Sequence, residues 1–448
     1  MRPGTPAIAF CFLPLALLAV CVRVTIAQTA APAVDASLTL HRTLELLRSR
    51  DANLALAQTA VDQALADKIT AGERPNATLA YSTAKINPAG HNGPGSLVDK
   101  SFDTIVNLAQ PFERGGKRTH RLAQAQANVD AAHDDYADSV RTERLAATQA
   151  YWELKRAEEK YTNAQTLASI EHRSIEASEQ RLKLGDMPRL DVERMRIDAA
   201  SADNAVDSAL GALRDAQVAL AALLDATAQA SDLSTADAWP HAIADMQTTA
   251  GETETANRAT DNALIEQALA RRPDMLAAQQ RVSAAEAALD IAHAQTTRDV
   301  TLSGQYERNP TPFGHTLLGF GVSVPLFTGN HFDGEITRAN ADIDAAKANL
   351  ARVRIAALAD IRRARADLAA ARQRARRYDS DLLQRALATE KTVEAAYARG
   401  GLGLADLLDA RRALKAVQDD ATDAHADFAE SLAALAAAAP TDDQGTSP

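Results

Sequence analysis

Cysteine is nearly missing: Cys11 and Cys21 are the two in 448 residues, and both stand near the start. The remainder, with no thiol at all, has neither a disulfide framework nor a thiolate metal site to rely on. Past the first segment no eighteen apolar residues follow one another, so a membrane location would have to be built from strands. Base is in deficit, with 48 Lys and Arg against 59 Asp and Glu and a net charge of −11. Phosphate recognition wants a basic surface, which argues against nucleic acid as a partner. The arginines between Arg352 and Arg385 are interleaved with alanine and aspartate along a helix and read as a solvated face. None of the ten histidines stands three or four residues from another, and His91, His315 and His331 fall in or beside loops or strand ends. No phosphate loop or nucleophile arrangement survives the helical reading, so the expectation is no catalytic residue, no metal site, no cofactor and no enzyme.

The start has the layout of a secretory signal: Arg2, a mostly apolar run over 7–20, then small residues around Thr25-Ile26-Ala27. The run is short and broken by Pro14, which argues against a spanning helix. Cleavage after Ala27 would remove both cysteines and two arginines with no acid, taking −11 to −13. An alternative is lipidation at Cys21, since Leu18-Ala19-Val20-Cys21 resembles a lipobox with valine where a small residue is expected.

What the sequence does contain is a column of small and apolar residues at a spacing of seven. Leu122, Val129 and Tyr136 begin it, and after one four-residue step it continues through Val140, Ala147, Leu154, Tyr161, Ala168, Ile175 and Leu182. A seven-residue repeat keeps a helix facing one partner and imposes a left-handed supercoil. Residues 117–184 hold no proline or glycine, and at about 1.5 Å per residue they predict a rod of roughly 100 Å. Gly185-Asp186-Met187-Pro188 ends it. The column returns at Ile336, Ile343, Leu350 and Ala357, then Ile361, Leu368, Ala375, Leu382, Thr389 and Ala396, and stops at Gly400-Gly401-Leu402-Gly403. Two such rods, each turning back into another helical run, predict two antiparallel hairpins.

Ahead of each rod lies the same order of elements. A helix over 38–71 precedes two alternating segments, 78–86 and 102–112, with a glycine- and proline-rich loop at 87–96 between them. A helix over 262–296 precedes Val300, Leu302, Gly304 and Tyr306 alternating with polar residues, then Leu318, Phe320, Val322, Val324 and Leu326 after Asn309-Pro310-Thr311-Pro312. Four strands of about ten residues each cross a bilayer when tilted but cannot close a barrel alone, so several chains must contribute. The expected organisation is a signal at 1–27, a first repeat at 28–225, an equatorial linker at 226–260, a second repeat at 261–439 and a disordered tail at 440–448.

Read in order, several fragments resemble the TolC family of trimeric outer-membrane efflux ducts. They are Asn53-Leu54 with Val61, Asp274-Met275 with Val282, Gln110-Pro111-Phe112-Glu113-Arg114-Gly115-Gly116-Lys117-Arg118, Val324-Pro325-Leu326-Phe327 with Gly334-Glu335-Ile336, and Tyr397-Ala398-Arg399-Gly400 leading to Ala405-Asp406-Leu407-Leu408-Asp409-Ala410-Arg411. The Gly-Gly-Lys-Arg and Val-Pro-Leu-Phe segments resemble the heavy-metal, cobalt-zinc-cadmium branch. The resemblance implies a mainly α fold with a small transmembrane β portion: a homotrimer with a twelve-stranded barrel in outer-membrane lipid and a twelve-helix tube in the periplasm. Its tips would meet a periplasmic adaptor that leads to a proton-driven inner-membrane pump of the RND type. Gly115, Gly116, Lys117 and Arg118 would form the strand-to-helix bend. Leu184, Gly185, Asp186, Met187, Arg399, Gly400, Gly401 and Leu402 would form the docking tips, with Leu184, Met187, Leu402 and Leu404 exposed until a partner covers them. Asp406 and Asp409 match the family's entrance aspartates, with Asp191 opposite them; three copies would ring the axis with carboxylates. Aspartate in a first helical turn is favoured by the dipole in any case. The family's basic residue four positions before the first aspartate is here Leu402, which removes one closed-state salt bridge. Ducts for drugs or secreted proteins, an exported coiled-coil structural protein and a periplasmic adaptor remain as alternatives.

Overall fold

The computed structural model describes residues 37–84, 103–241, 254–309 and 315–440; the expected signal, the 87–96 loop and the tail beyond residue 440 lie outside them. In chain order the elements are β1 (Ser37–Leu38), α1 (Leu40–Arg50), α2 (Ala52–Gly72), β2 (Thr78–Ala84), β3 (Asp103–Phe112), α3 (Lys117–Leu184), α4 (Arg189–Leu223), β4 (Ser234–Thr235), α5 (Glu254–Arg271), α6 (Pro273–Gln295), β5 (Val300–Asn309), β6 (His315–Ser323), α7 (Asp333–Arg377), α8 (Leu383–Ala398) and α9 (Leu404–Ala438).

The first rod is as the repeat dictates. α3 runs unbroken for 68 residues, and every one of its ten column positions is buried or half-buried. The second rod is not continuous. A π-turn, Tyr378–Leu382, separates α7 from α8; beyond it the column positions Leu382 and Thr389 are exposed and Ala396 is half-buried, while Leu383, Glu390 and Tyr397 turn inward. A π-turn adds one residue to the helix, so the seam slips by one.

The single helices expected over 38–71 and 262–296 are each split. Asp51 ends α1 and caps α2, its carboxylate accepting from Leu54 N at 2.8 Å. Pro273 takes the first position of α6, where its missing N–H costs nothing, so α5 stops at Arg271. Leu38, read as helical, belongs to β1, which pairs in parallel with β4 from the equatorial segment. Tyr151 on α3 holds that junction: its hydroxyl lies 3.0 Å from Leu38 O and 2.8 Å from Asp237 Oδ2. Trp239 stacks on Trp152 at 5.4 Å and donates from Nε1 to Glu159.

The strands form one antiparallel sheet in the order β2-β3-β5-β6. The registers Leu79↔Leu108, Leu108↔Gly304 and Gly304↔Phe320 put those residues in one row, and Tyr81↔Val106, Val106↔Tyr306 and Tyr306↔Leu318 make the next. One face is therefore apolar and exposed, with Phe320 at 92 %. The other carries Ser82, Asn107, Ser303, Gln305, Glu307 and Ser323. β6 ends at Ser323, so Val324 and Leu326 lie past the strand, next to Pro325, which has no N–H for a ladder.

Candidate functional site

Two places carry the expected site residues, the bend beneath the sheet and the tip where both hairpins reverse; a charged seam lies just behind that tip. At the bend, Gly115 and Gly116 have φ of +74° and +72°, and Gly116 is the N-cap of α3. A Cβ on Gly115 would sit 2.7 Å from Thr297 Cβ, so the position needs both the left-handed backbone and the missing side chain. Lys117 Nζ pairs with Asp299 at 2.8 Å, and Arg118 Nε donates to Gly72 O at 2.6 Å. The two cations therefore tie the bend to the ends of α2 and of the α6–β5 connection. The second half makes the same bend at Phe332, with φ of 64° at the N-cap of α7.

At the tip the two reversals are one motif made twice. Gly185 N donates to Leu182 O and Asp186 N to Arg181 O; Gly400 N donates to Tyr397 O and Gly401 N to Ala396 O. With Gly185 at φ +81° and Gly400 at +76°, both are Schellman turns. They lie at the same end: Met187, Val192 and Met195 of the first hairpin share a core with Leu404 and Leu408 of the second, flanked by Ile175, Leu182 and Tyr397. This corrects one expectation. Met187 and Leu404 are 9 % and 7 % exposed because the hairpins bury them against each other, whereas Leu184 at 77 % and Leu402 at 40 % are free at the turns.

Asp406, at the third position of α9, reaches back so that its Oδ2 accepts from the N-cap residue Gly403 N at 3.0 Å, closing the start of the helix. Asp409 is 77 % exposed, 3.6 Å from Arg412, and Asp191 lies 3.8 Å from Arg194. Arg412 also reaches Asp198 of α4 at 2.5 Å, a link between the hairpins.

Behind the tip is a group that the sequence reading missed. Arg411 on α9 and Glu171 on α3 are 6 % and 5 % exposed and 3.1 Å apart, and the same guanidinium donates to Ser174 Oγ at 3.0 Å. On its other side stand Glu390 at 4.0 Å and Glu394 at 3.7 Å, both from α8. Arg411 Nε has no hydrogen-bond partner among the described residues. Burial pushes the Glu171 carboxyl above the ordinary range, with Arg411 pulling part of the way back. Burial and the neighbouring Glu394 raise Glu390. The signal for Glu171 was a charge three residues past Ala168, on the seam itself, where a heptad wants an apolar side chain.

Among the described residues no three His, Cys, Asp or Glu side chains converge as metal ligands. Nor is any described helix long and apolar enough to cross a membrane.

Comparison with known proteins places this arrangement. The profile described as "Outer membrane efflux protein" matches residues 43–226 and 264–440, well over half of the chain. The cobalt-zinc-cadmium resistance protein CzcC of Cupriavidus metallidurans is 23 % identical over 381 residues, 84 % of either chain. The pyoverdine export outer membrane protein OpmQ of Pseudomonas putida is 24 % identical over 417 residues, 86 % of this chain and 82 % of its own. Among solved structures, the outer membrane protein VceC of Vibrio cholerae superposes with a TM-score of 0.68 at 22 % identity, covering 89 % of this chain and 95 % of that one. With its paired hairpins, four outward-apolar strands and a profile match over both halves, the chain belongs to the outer membrane efflux protein family.

Proposed function

We propose that this outer-membrane efflux channel passes divalent metal cations from the periplasm to the exterior, as the last part of a tripartite system. The observation that carries the cargo is the similarity to a cobalt-zinc-cadmium resistance protein along 84 % of both chains. The same channel would assemble as a trimer, seated in outer-membrane lipid through the apolar sheet face. A periplasmic adaptor would dock on the Schellman turns, with Leu184 and Leu402 as its apolar footholds and Gly185, Asp186, Arg399, Gly400 and Gly401 around them; Met187 supports the turn from within. An inner-membrane RND pump would drive transport through that adaptor. Asp406, Asp409 and Asp191 form the proposed carboxylate rim, since three copies around an axis attract cations into the mouth. The channel does no chemistry; it supplies a wet path.

Deleting the gene and growing cells on zinc, cobalt, cadmium, copper and a drug panel tests the cargo. Metal sensitivity, restored by the intact gene, is expected. Unchanged metal tolerance with new sensitivity to organic compounds refutes the assignment. A second reading, export of an organic chelator, has the match to the pyoverdine export protein in its favour, and the same panel distinguishes it by adding iron-limited growth and secreted chelator.

A further inference from the structure

The apolar side of the sheet ends in charge. Successive residues of a strand point to opposite sides, so the outward set on β3 is Val106, Leu108, Gln110 and Phe112, and on β5 it is Val300, Leu302, Gly304 and Tyr306. One alternate step beyond each strand towards the helices, the next outward positions are Arg114 and Arg298, and both are exposed. The pairing Phe112↔Val300, carried on by that step, sets the two arginines against each other. A bond across the same gap ties the two segments together: Arg114 N donates to Asp299 Oδ1 at 3.0 Å. At its other end β5 carries a further outward arginine, Arg308, opposite Thr104 and Thr316. From Arg298 to Arg308 the outward positions between are free of charge. At about 3.3 Å per residue and a tilt of about 40°, this stretch rises roughly 25 Å, the height of the apolar band of an outer-membrane barrel. Arg114 and Arg298 therefore stand at headgroup level on the side of the helices, which for this channel is the periplasmic leaflet.

The surroundings leave both guanidinium groups open to an anion. Arg298 lies 5.3 Å over the Phe327 ring, itself edge-on to Phe332 at 5.1 Å, so an aromatic contact and not a carboxylate positions it. The neighbouring acids are engaged elsewhere: Glu113 takes Arg121 at 2.5 and 2.9 Å, and Asp299 takes Lys117 at 2.8 Å. Glu73, exposed at the foot of α2, pairs with neither arginine. Beside them Phe112 and Leu326 are 50 % and 77 % exposed. A guanidinium matches a phosphate as a two-pronged donor. We infer that Arg114 and Arg298 clamp the phosphate of an anionic phospholipid in the periplasmic leaflet, with Phe112 and Leu326 against its acyl chains. A lipid fits better than free phosphate, because the cations adjoin apolar surface that only a chain-bearing phosphate covers. This inference deepens the reading of the sheet as lipid-facing, and rests on it.

The test titrates the purified oligomer, in neutral detergent, with phosphatidylglycerol, phosphatidylcholine or inorganic phosphate, and counts bound molecules by native mass spectrometry. The parent is expected to hold one phosphatidylglycerol per chain, at least tenfold more tightly than phosphatidylcholine, and less tightly as salt rises. Arg114→Gln and Arg298→Gln should each weaken phosphatidylglycerol by roughly fivefold and leave phosphatidylcholine unchanged, since one arginine near a lipid surface contributes about that factor. Arg354→Gln, far from the sheet and paired with Glu266, should bind as the parent does. A parent that takes both lipids equally overturns the clamp, and this comparison decides the matter should the variants fail to assemble. Variants that assemble and keep parental preference also overturn it. Inorganic phosphate that displaces the bound lipid overturns the lipid as occupant. A processed chain that stays dispersed and folded with neither detergent nor lipid refutes the lipid-facing sheet, and the clamp falls with it.

Discussion

Replacing Arg411 by methionine removes a cation from a seam where its partner cannot follow it into water. Arg411 and Glu171 are 6 % and 5 % exposed, and breaking such a pair from one side costs roughly 3–5 kcal/mol, because the remaining charge stays buried. Local opening of the two hairpins should then rise roughly a hundred- to a few-thousand-fold, read as amide exchange around Glu171 and Arg411 after correction for intrinsic rates. The pH dependence has a definite sign. Glu171 is already raised by burial, and losing Arg411 removes what pulls it down. A carboxyl that is higher in the native state contributes stability that is fully present below its unfolded value and lost as pH rises through the native one. The defect of Arg411→Met should therefore be largest at neutral pH and shrink as pH falls towards about 4–5, the ordinary carboxylate range. Adding Glu171→Leu should bring exchange back to within about tenfold of the parent, since a buried pair exchanged for apolar side chains is often nearly neutral. Arg354→Met is the control, because its pair with Glu266 is half exposed, and exposed pairs are worth no more than about 1 kcal/mol. Parental exchange in Arg411→Met, or a defect that does not change with pH, refutes the reasoning.

Asp406→Ala with Asp409→Ala should raise ion leak through planar bilayers and weaken block by multivalent cations; Asp409→Ala alone, which leaves the cap intact, should keep parental oligomer stability and still lose part of the block. Asp406→Ala alone should also loosen the start of α9 by about 1 kcal/mol, visible as faster exchange there. Gly115→Ala should lower the heat resistance of the oligomer, since the new Cβ meets Thr297 at 2.7 Å on a left-handed backbone; Gly185→Ala has nothing within 4 Å of its Cβ, and should cost only the backbone term of roughly 1–2 kcal/mol. Phe320→Lys, in the apolar row of β6, should cost about 2–4 kcal/mol of membrane stability and reduce the amount of assembled protein, measured as heat-modifiable oligomer in membranes.

Most of the architecture was legible because it is written in local periodicities. The seven-residue column fixes α3 to the residue, and left-handed glycines mark both reversals. The alternation in β5 shows its apolar face directly. What escaped was either a one-residue backbone choice or a contact between distant halves. The π-turn leaves no compositional mark, since Tyr378, Asp379 and Ser380 would sit in an α-helix equally well. Asp51 could have been a polar residue on a continuing helix; that it caps is decided by its hydrogen bond to Leu54. Met187 and Leu404 look exposed in sequence because each lies beside a turn, and their burial comes from the opposite hairpin. Glu171 was readable as a misplaced charge, though its partner, 240 positions away, was not.

Among the described residues, the sheet order β2-β3-β5-β6 leaves the outer strands, β2 and β6, with one neighbour each. In the proposed trimer every copy would both offer and receive a seam, and a single faulty copy would spoil the ring it joins. When a mutant with a damaged β2 or β6 is expressed at equal dose with the parent, roughly seven of eight threefold rings contain at least one bad member. Lesions in those strands should accordingly behave as genetically dominant, and lesions confined to the exposed turn residues should be milder in mixed cells.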